Sequence, residues 1–260
     1  MESPYRAAGD IHVLPSSEEA PGLGVLPVNA FLIGDDRPVL VDTGLATEGE
    51  DFLTTLWSLV DPDQLAWIFL THDDRDHAGN LLRVLDAAPQ AGLVMNYVAL
   101  SKLQEEWSLP LERVRVVNPD QAFDTGARRL TVLRPPVFDS PGTVGLYDPG
   151  TGVAITADAF GAYLPELVHD LSEVSDADLR SGFADFNRLN HPWVSLLERP
   201  TLDRALSELL RLDPDLLLSS HGVLSHGHTT ALVRAMAEVC TMEPFVAPDQ
   251  AAFEELREEM

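Results

Sequence analysis

The chain has one cysteine, Cys240, one lysine, Lys102, and few basic residues of any kind. A single thiol forbids an internal disulfide and excludes a cluster held by cysteine thiolates. Cys240 therefore reads as a small buried or half-buried apolar residue. No stretch approaches the roughly 18 consecutive apolar residues of a membrane span, and the opening MESPYRAAGD carries neither the basic nor the apolar part of a signal peptide. The expectation is a cytoplasmic protein with no membrane partner. Lysine and arginine total 17 against 42 aspartates and glutamates, a formal net charge of −25. Nucleic-acid binding depends on basic residues displacing counterions, so this balance argues against nucleic acid as a partner. Linkers rich in glycine or serine and short tandem repeats are lacking too, and the 260 residues read as one domain.

What is present is an alternation of short apolar runs with polar turns. IHVLP and VNAFLIG, the turn DDRP and then VLVDTG read as strands, with Val39 to Val41 buried and Asp42, Thr43 and Gly44 marking the end. Residues 48–60 carry Phe52, Leu53, Leu56, Leu59 and Val60 at helical spacing. A strand from Trp67 to Leu70 delivers the chain to His72; Leu81, Leu82, Val84 and Leu85 suggest a helix, and GLVMNY another strand. RLTVL at 129–133 and TVGLY at 143–147 read as strands, and PGTG at 149–152 as a hairpin turn before VAITAD. Residues 163–200 have weak periodicity and are expected to cover a site. Residues 201–212 form a helix with Thr201 as N-cap, LLLSSHG is a last buried strand, and 223–260 is a C-terminal helical extension.

The polar residues fall at revealing places. Asp42, His72, Asp158 and His221 each follow an apolar run: VLV, IFL, VAIT and LLLSS. Donors carried on the ends of neighbouring strands converge on one sheet edge and are held more rigidly there than in a free loop. One strand ending in aspartate is ordinary turn chemistry. The six residues HDDRDH at 72–77 differ, because solvated charge runs do not usually alternate with histidine directly behind a buried strand. They read as metal ligands.

VDTG at 41–44, HDDRDHAGN, FDSPGTVGLYD at 138–148, ITADAFG and SSHG at 219–222 stand in the order found in the metallo-β-lactamase-fold superfamily. The resemblance covers roughly residues 10–225. It implies an α/β fold, an αββα sandwich of two mixed sheets flanked by helices, with a one- or two-metal site at the sheet edge. His72, Asp76, His77, Asp158 and His221 match the family pattern of H-x-H-x-D-H, bridging aspartate and final histidine. Two positions depart from it: Asp74 stands where the second histidine is usual, and Asp139 where the later one is. By the resemblance one ion uses His72, Asp74 and Asp139, the other Asp76, His77 and His221, with Asp158 between them and Asp42 orienting ligands. Aspartate is shorter than histidine or glutamate, so the reach of Asp74 and Asp139 decides whether one ion binds or two.

A carboxylate at the second position resembles the oxygen-binding di-iron branch that supplies the catalytic domain of flavodiiron proteins, although glutamate stands there in that branch. Three imidazoles and four carboxylates form a hard, anionic set suited to iron or manganese more than to zinc. The primary expectation is a non-haem iron oxidoreductase, with one or two ions, that binds or reduces O2, NO or peroxide. The flavodoxin part of that branch is not seen here, so a separate electron-donor protein is expected. The alternative is a hydrolase of an ester, thioester or lactone, in which Asp76 orients a metal-activated water. A third reading is a degenerate member that only binds. Arg75 is expected to pair with the site carboxylates, and His169 and His191 to reach the site from the covering segment. A homo-oligomer is left open.

Overall fold

A computed structural model describes residues 1–257. The last three residues of the expected C-terminal extension lie outside the described residues. Seven strands form the first sheet in sequence order: β1 (Tyr5–Ala8), β2 (Ile11–Ala20), β3 (Gly24–Ile33), β4 (Val39–Val41), β5 (Trp67–Phe69), β6 (Gly92–Met95) and β7 (Val114–Val116). Its first half, through the β3–β4 pair, is antiparallel and β4 to β7 are parallel. The second sheet runs β12 (Leu216–Leu218), β11 (Val153–Ile155), β10 (Gly145–Asp148), β9 (Arg129–Leu133) and β8 (Ala122–Asp124), with only β11 and β12 parallel. Both sheets are mixed, as expected.

Strand alternation distributes the side chains over three cores. Val39 and Val41, Phe69 and Val94 point between the sheets, where they meet Leu146, Ile155 and Leu218. Their neighbours Leu40, Ile68 and Leu93 point outward under the helices α1 (Gly49–Leu59), α3 (Leu81–Ala87) and α4 (Tyr97–Leu103). On the far side Ala154 and Leu217 pack under α5 (Asp176–Asn190), α6 (Arg199–Leu210) and α7 (Thr229–Val239). A strand buried on both faces reads as an unbroken apolar run, which is why VLV, WIF and LLL stand out in the sequence. The result is the αββα sandwich. Two further helices are short, α2 (Arg75–Ala78) and α8 (Gln250–Leu256). Among the described residues no helix is long and apolar enough to cross a membrane.

Departures from the sequence reading lie at edges. β1, β7 and β8 were not distinguishable as strands; β7 and β8 are only three residues long and largely uncovered on one face. α4 also escapes the periodicity argument at seven residues, although Asn96 caps it by accepting the Val98 N–H at 2.9 Å. Thr201 is not an N-cap. α6 starts two positions earlier, behind Glu198, because Pro200 fits the first helical turn, where no backbone N–H is needed. Within 163–200 the main element is α5, capped by Ser175. It lies so close to the 161–164 segment that a Cβ at Gly182 would collide with the Tyr163 carbonyl.

Candidate metal centre

Parallel strands β4 and β5 end side by side, as do β11 and β12 in the other sheet. The loops that leave β5, β11 and β12 carry His72, Asp158 and His221. Asn29 on β3 ties the two edges together: its N–H donates to the Ser220 carbonyl at 2.8 Å and its side-chain amide to the Gly222 carbonyl at 2.7 Å. α2 starts at Arg75, with Asp74 in the N-cap position making no cap hydrogen bond, and contributes Asp76 and His77.

The three histidines are oriented alike. Nδ1 of His77 faces Asp42 Oδ2 at 2.8 Å, Nδ1 of His221 faces the Pro27 carbonyl at 2.8 Å, and Nδ1 of His72 faces the Thr71 hydroxyl at 3.1 Å. Each Nδ1 is thus engaged and each Nε2 turns inward, the arrangement that fixes tautomer and ring direction in metal-binding histidines. His72 Nε2 lies 3.9 Å from Asp74 Oδ2, 3.6 Å from Asp139 Oδ2 and 3.7 Å from Asp158 Oδ2. On the other side Asp76 Oδ2 lies 3.6 Å from His77 Nε2 and 3.3 Å from His221 Nε2, and Asp158 Oδ1 lies 3.0 and 3.5 Å from the same two nitrogens. Donor atoms sharing an ion at bonds of roughly 2.1 Å stand about 3 to 4 Å apart. The seven side chains therefore fall into two groups, His72–Asp74–Asp139 and Asp76–His77–His221, with one oxygen of Asp158 toward each.

Buried polar atoms are almost always partnered, so an orphan calls for an explanation. Nε2 of His72, Nε2 of His77 and Oδ1 of Asp158 are buried without a hydrogen-bond partner, and all three point to the middle of the cluster. That pattern suits cations. Within the cluster the carboxylates and imidazoles shift one another's protonation. Burial works against ionisation of Asp158, yet His72, His77 and His221 hold it well below the usual carboxylate range. Burial likewise opposes the charge on Asp76, but His77 and His221 keep it ionised. The same carboxylates overcome burial and raise His77 and His221 above the ordinary imidazole value. Asp74 goes the other way: burial and the neighbouring Asp139 push it up to about 6.

A cavity of about 420 Å³ opens onto the cluster, walled by Leu26, Leu45, Tyr163, Phe186 and Asn190. Three of these residues come from the 163–200 segment. Asn190 also donates to Asp158 Oδ2 at 3.0 Å.

All seven expected donors and Asp42 are brought together. The remaining expectations fare differently. Arg75 borders the cavity, but its guanidinium pairs with Glu106 and lies over Trp107, away from the site carboxylates. His169 stacks on Tyr5 at 4.4 Å and pairs with Glu2 at 2.7 Å on the outer surface. His191 is fully buried beside Phe186, both ring nitrogens unpartnered, and does not reach a donor group. Thr71 and Asn190 were missed. Thr71 was detectable, since it directly precedes His72 at a strand end; nothing local to Asn190 announces that α5 ends on Asp158.

The profile of the Metallo-beta-lactamase superfamily matches residues 23–221. Among curated relatives, the putative diflavin flavoprotein A 1 of Thermosynechococcus vestitus is 35% identical over 204 residues, covering 77% of this chain and 34% of that one. A protein named nitric oxide reductase from Moorella thermoacetica is 28% identical over 140 residues, 54% of this chain and 35% of that one. The chain thus spans about a third of the length of these relatives. Among solved structures, the rubredoxin oxygen:oxidoreductase of Desulfovibrio gigas superposes with a TM-score of 0.81 at 18% identity, covering 94% of this chain and 63% of that one. At that identity the likeness is one of fold.

Proposed function

We propose, from the premise that this chain belongs to the Metallo-beta-lactamase superfamily, that its strand-end cluster holds two iron ions and reduces O2 or NO. The observation that carries the reading is the donor set itself: three inward-facing imidazoles and four carboxylates, sorted into two groups about Asp158. Oxygen-rich sites of this kind favour iron or manganese over the histidine-rich surroundings usual for zinc. A relative named for NO reduction, and a neighbour in fold named for oxygen reduction, are in keeping with this reading.

His72, Asp74 and Asp139 would hold one ion, Asp76, His77 and His221 the other, with a carboxylate oxygen of Asp158 for each. Bound iron would pass electrons from a donor to the oxidant and offer it open coordination positions. The chain supplies rigidity through Asp42, which fixes the His77 ring, and through Asn190, which holds Asp158. The cavity wall of Leu26, Leu45 and Phe186 gives a small apolar oxidant an approach to the site. Reduction of O2 to two waters consumes four electrons and four protons; conversion of two NO to N2O and water consumes two of each. We assign the electrons to a separate donor protein, the setting to the cytoplasm, and residues 1–260 to one domain in which 163–200 covers the site.

Metal analysis with optical spectroscopy, on protein produced with both iron and zinc present, tests the reading. About two irons per chain, visible charge-transfer bands and consumption of O2 or NO by the chemically reduced protein are expected. Stoichiometric zinc with turnover of an ester, thioester or lactone would replace it with the hydrolase alternative.

A further inference from the structure

The two aspartates that depart from the family pattern ride on separate loops, 70–74 and 134–144. A carboxylate on one methylene reaches less far than an imidazole, so two such donors share an ion with His72 only where the loops approach closely. Contacts between the loops, and of one loop with α4, draw them together. The Val144 N–H donates to the Thr71 carbonyl at 2.9 Å. Gly142 lies against α4, where a Cβ would stand 2.8 Å from the Ala99 nitrogen, so only glycine permits that approach. Lys102, in the last turn of α4, joins both loops: its Nζ is 2.9 Å from Asp73 Oδ2 and donates to Ser140 Oγ at 3.0 Å. The Ser140 hydroxyl donates in turn to Asp73 Oδ1 at 3.1 Å. The neighbouring Ser140 N–H donates to Asp139 Oδ1 at 2.7 Å, which leaves Oδ2 for His72.

We propose that Lys102 is a positioning residue for the His72–Asp74–Asp139 group, closing the two loops to the separation at which two short carboxylates share one ion. The inference rests on the iron pair proposed above. Lysine suits the place because a compact ammonium with three donors fits between one carboxylate and one hydroxyl, whereas a planar guanidinium presents a wider fork. The side chain is 45% exposed, so its contribution is the tie rather than core packing. It also sets the only lysine of the sequence beside the two loops that carry the departures, while Arg75 is drawn off by Glu106.

Anaerobic equilibrium dialysis of the full chain with Fe(II), against a competing chelator, reads the two groups separately as two uptake steps. Wild type is expected to take two ions. Lys102→Met is expected to weaken one step at least tenfold and leave the other unchanged, with an unaltered melting temperature; Asp73→Asn, cutting the same tie from the other loop, reproduces it, and Lys102→Arg restores part. Adding Asp139→His to Lys102→Met is expected to recover the lost step, since an imidazole spans the gap without the closed loops. Wild-type uptake by both Lys102→Met and Asp73→Asn overturns the role of Lys102 and leaves the iron pair standing. Uptake of one ion by wild type overturns the pair and the inference together. Failure of the added histidine to recover the step, in a variant that still melts normally, overturns the argument from reach.

Discussion

Asp42 and His77 meet at 2.8 Å, Oδ2 to Nδ1, both of them fully buried. The aspartate holds a left-handed backbone conformation, φ +61°, which a residue with a Cβ adopts at a cost of order 1 kcal/mol. The same carboxylate takes the Thr71 N–H and hydroxyl, each at 2.8 Å, so the first side chain past β4 is tied to the loop leaving β5. Strain at such a point persists where surrounding contacts over-determine it. Here they fix the direction of a ring whose other nitrogen points into the cluster.

Asp42→Ala removes that fixation without touching a donor. Metal affinity is expected to fall 10- to 100-fold, the usual loss on removing an outer partner of a ligating histidine. Fe(II) titration monitored by absorbance measures it. Undiminished affinity would show that Asp42 supports the fold alone.

Asp158 should be the most damaging position. Its two oxygens face different groups, so Asp158→Ala is expected to cost both ions, whereas His77→Ala costs one. Metal analysis of the two purified variants gives the count, and unchanged content in both would remove the site assignment altogether.

Much of this was legible in the sequence because burial on both faces and strand-end placement leave local traces. VLV, WIF and LLL are continuous apolar runs since their alternate residues enter different cores; Asp42 directly follows the first, and His72 and His221 stand three positions past the ends of the other two. What was not legible depends on long-range packing. The ring of His191 lies 6.2 Å from that of Phe186, and His169 stacks on Tyr5 at the outer surface, yet in sequence both are histidines in the same irregular segment. Arg75 lies inside the ligand motif, but a glutamate more than 30 positions away decides where its charge goes. Asn190 reaches Asp158 only because Gly182 lets α5 approach the 161–164 segment.

Asp74 predicts a pH dependence of metal uptake. Burial and Asp139 raise its carboxyl to about 6, so in the metal-free chain it carries a proton below that pH which an ion must displace. For the fold the sign is the reverse of the common carboxylate case: protonation favours the folded metal-free chain as pH falls through about 6. For metal the sign is opposite, and affinity weakens over the same range. Comparison with Asp74→Asn isolates the group. Below pH 6 the wild-type affinity should change by about tenfold more per pH unit than that of the variant, and above it the two slopes should agree. Equal slopes throughout would place Asp74 outside the ion's reach.

His191 predicts acid lability of the metal-free fold. Burial lowers its pKa to about 4, against carboxylates at Asp158 and Asp139 that pull upward but do not prevail. The unfolded chain presents an ordinary imidazole near 6.5, so it binds the proton first. Stability from this group is complete above about 6.5, is lost as pH falls toward 4, and amounts to about 3 kcal/mol over that window. His191→Phe keeps a ring of similar shape, removes the titration and removes two unpartnered buried nitrogens. Urea unfolding at pH 7 and pH 4.5 is expected to show a smaller loss of stability in the variant than in wild type, with no deficit at pH 7. Equal losses would mean that the ring finds a partner for its proton inside the fold.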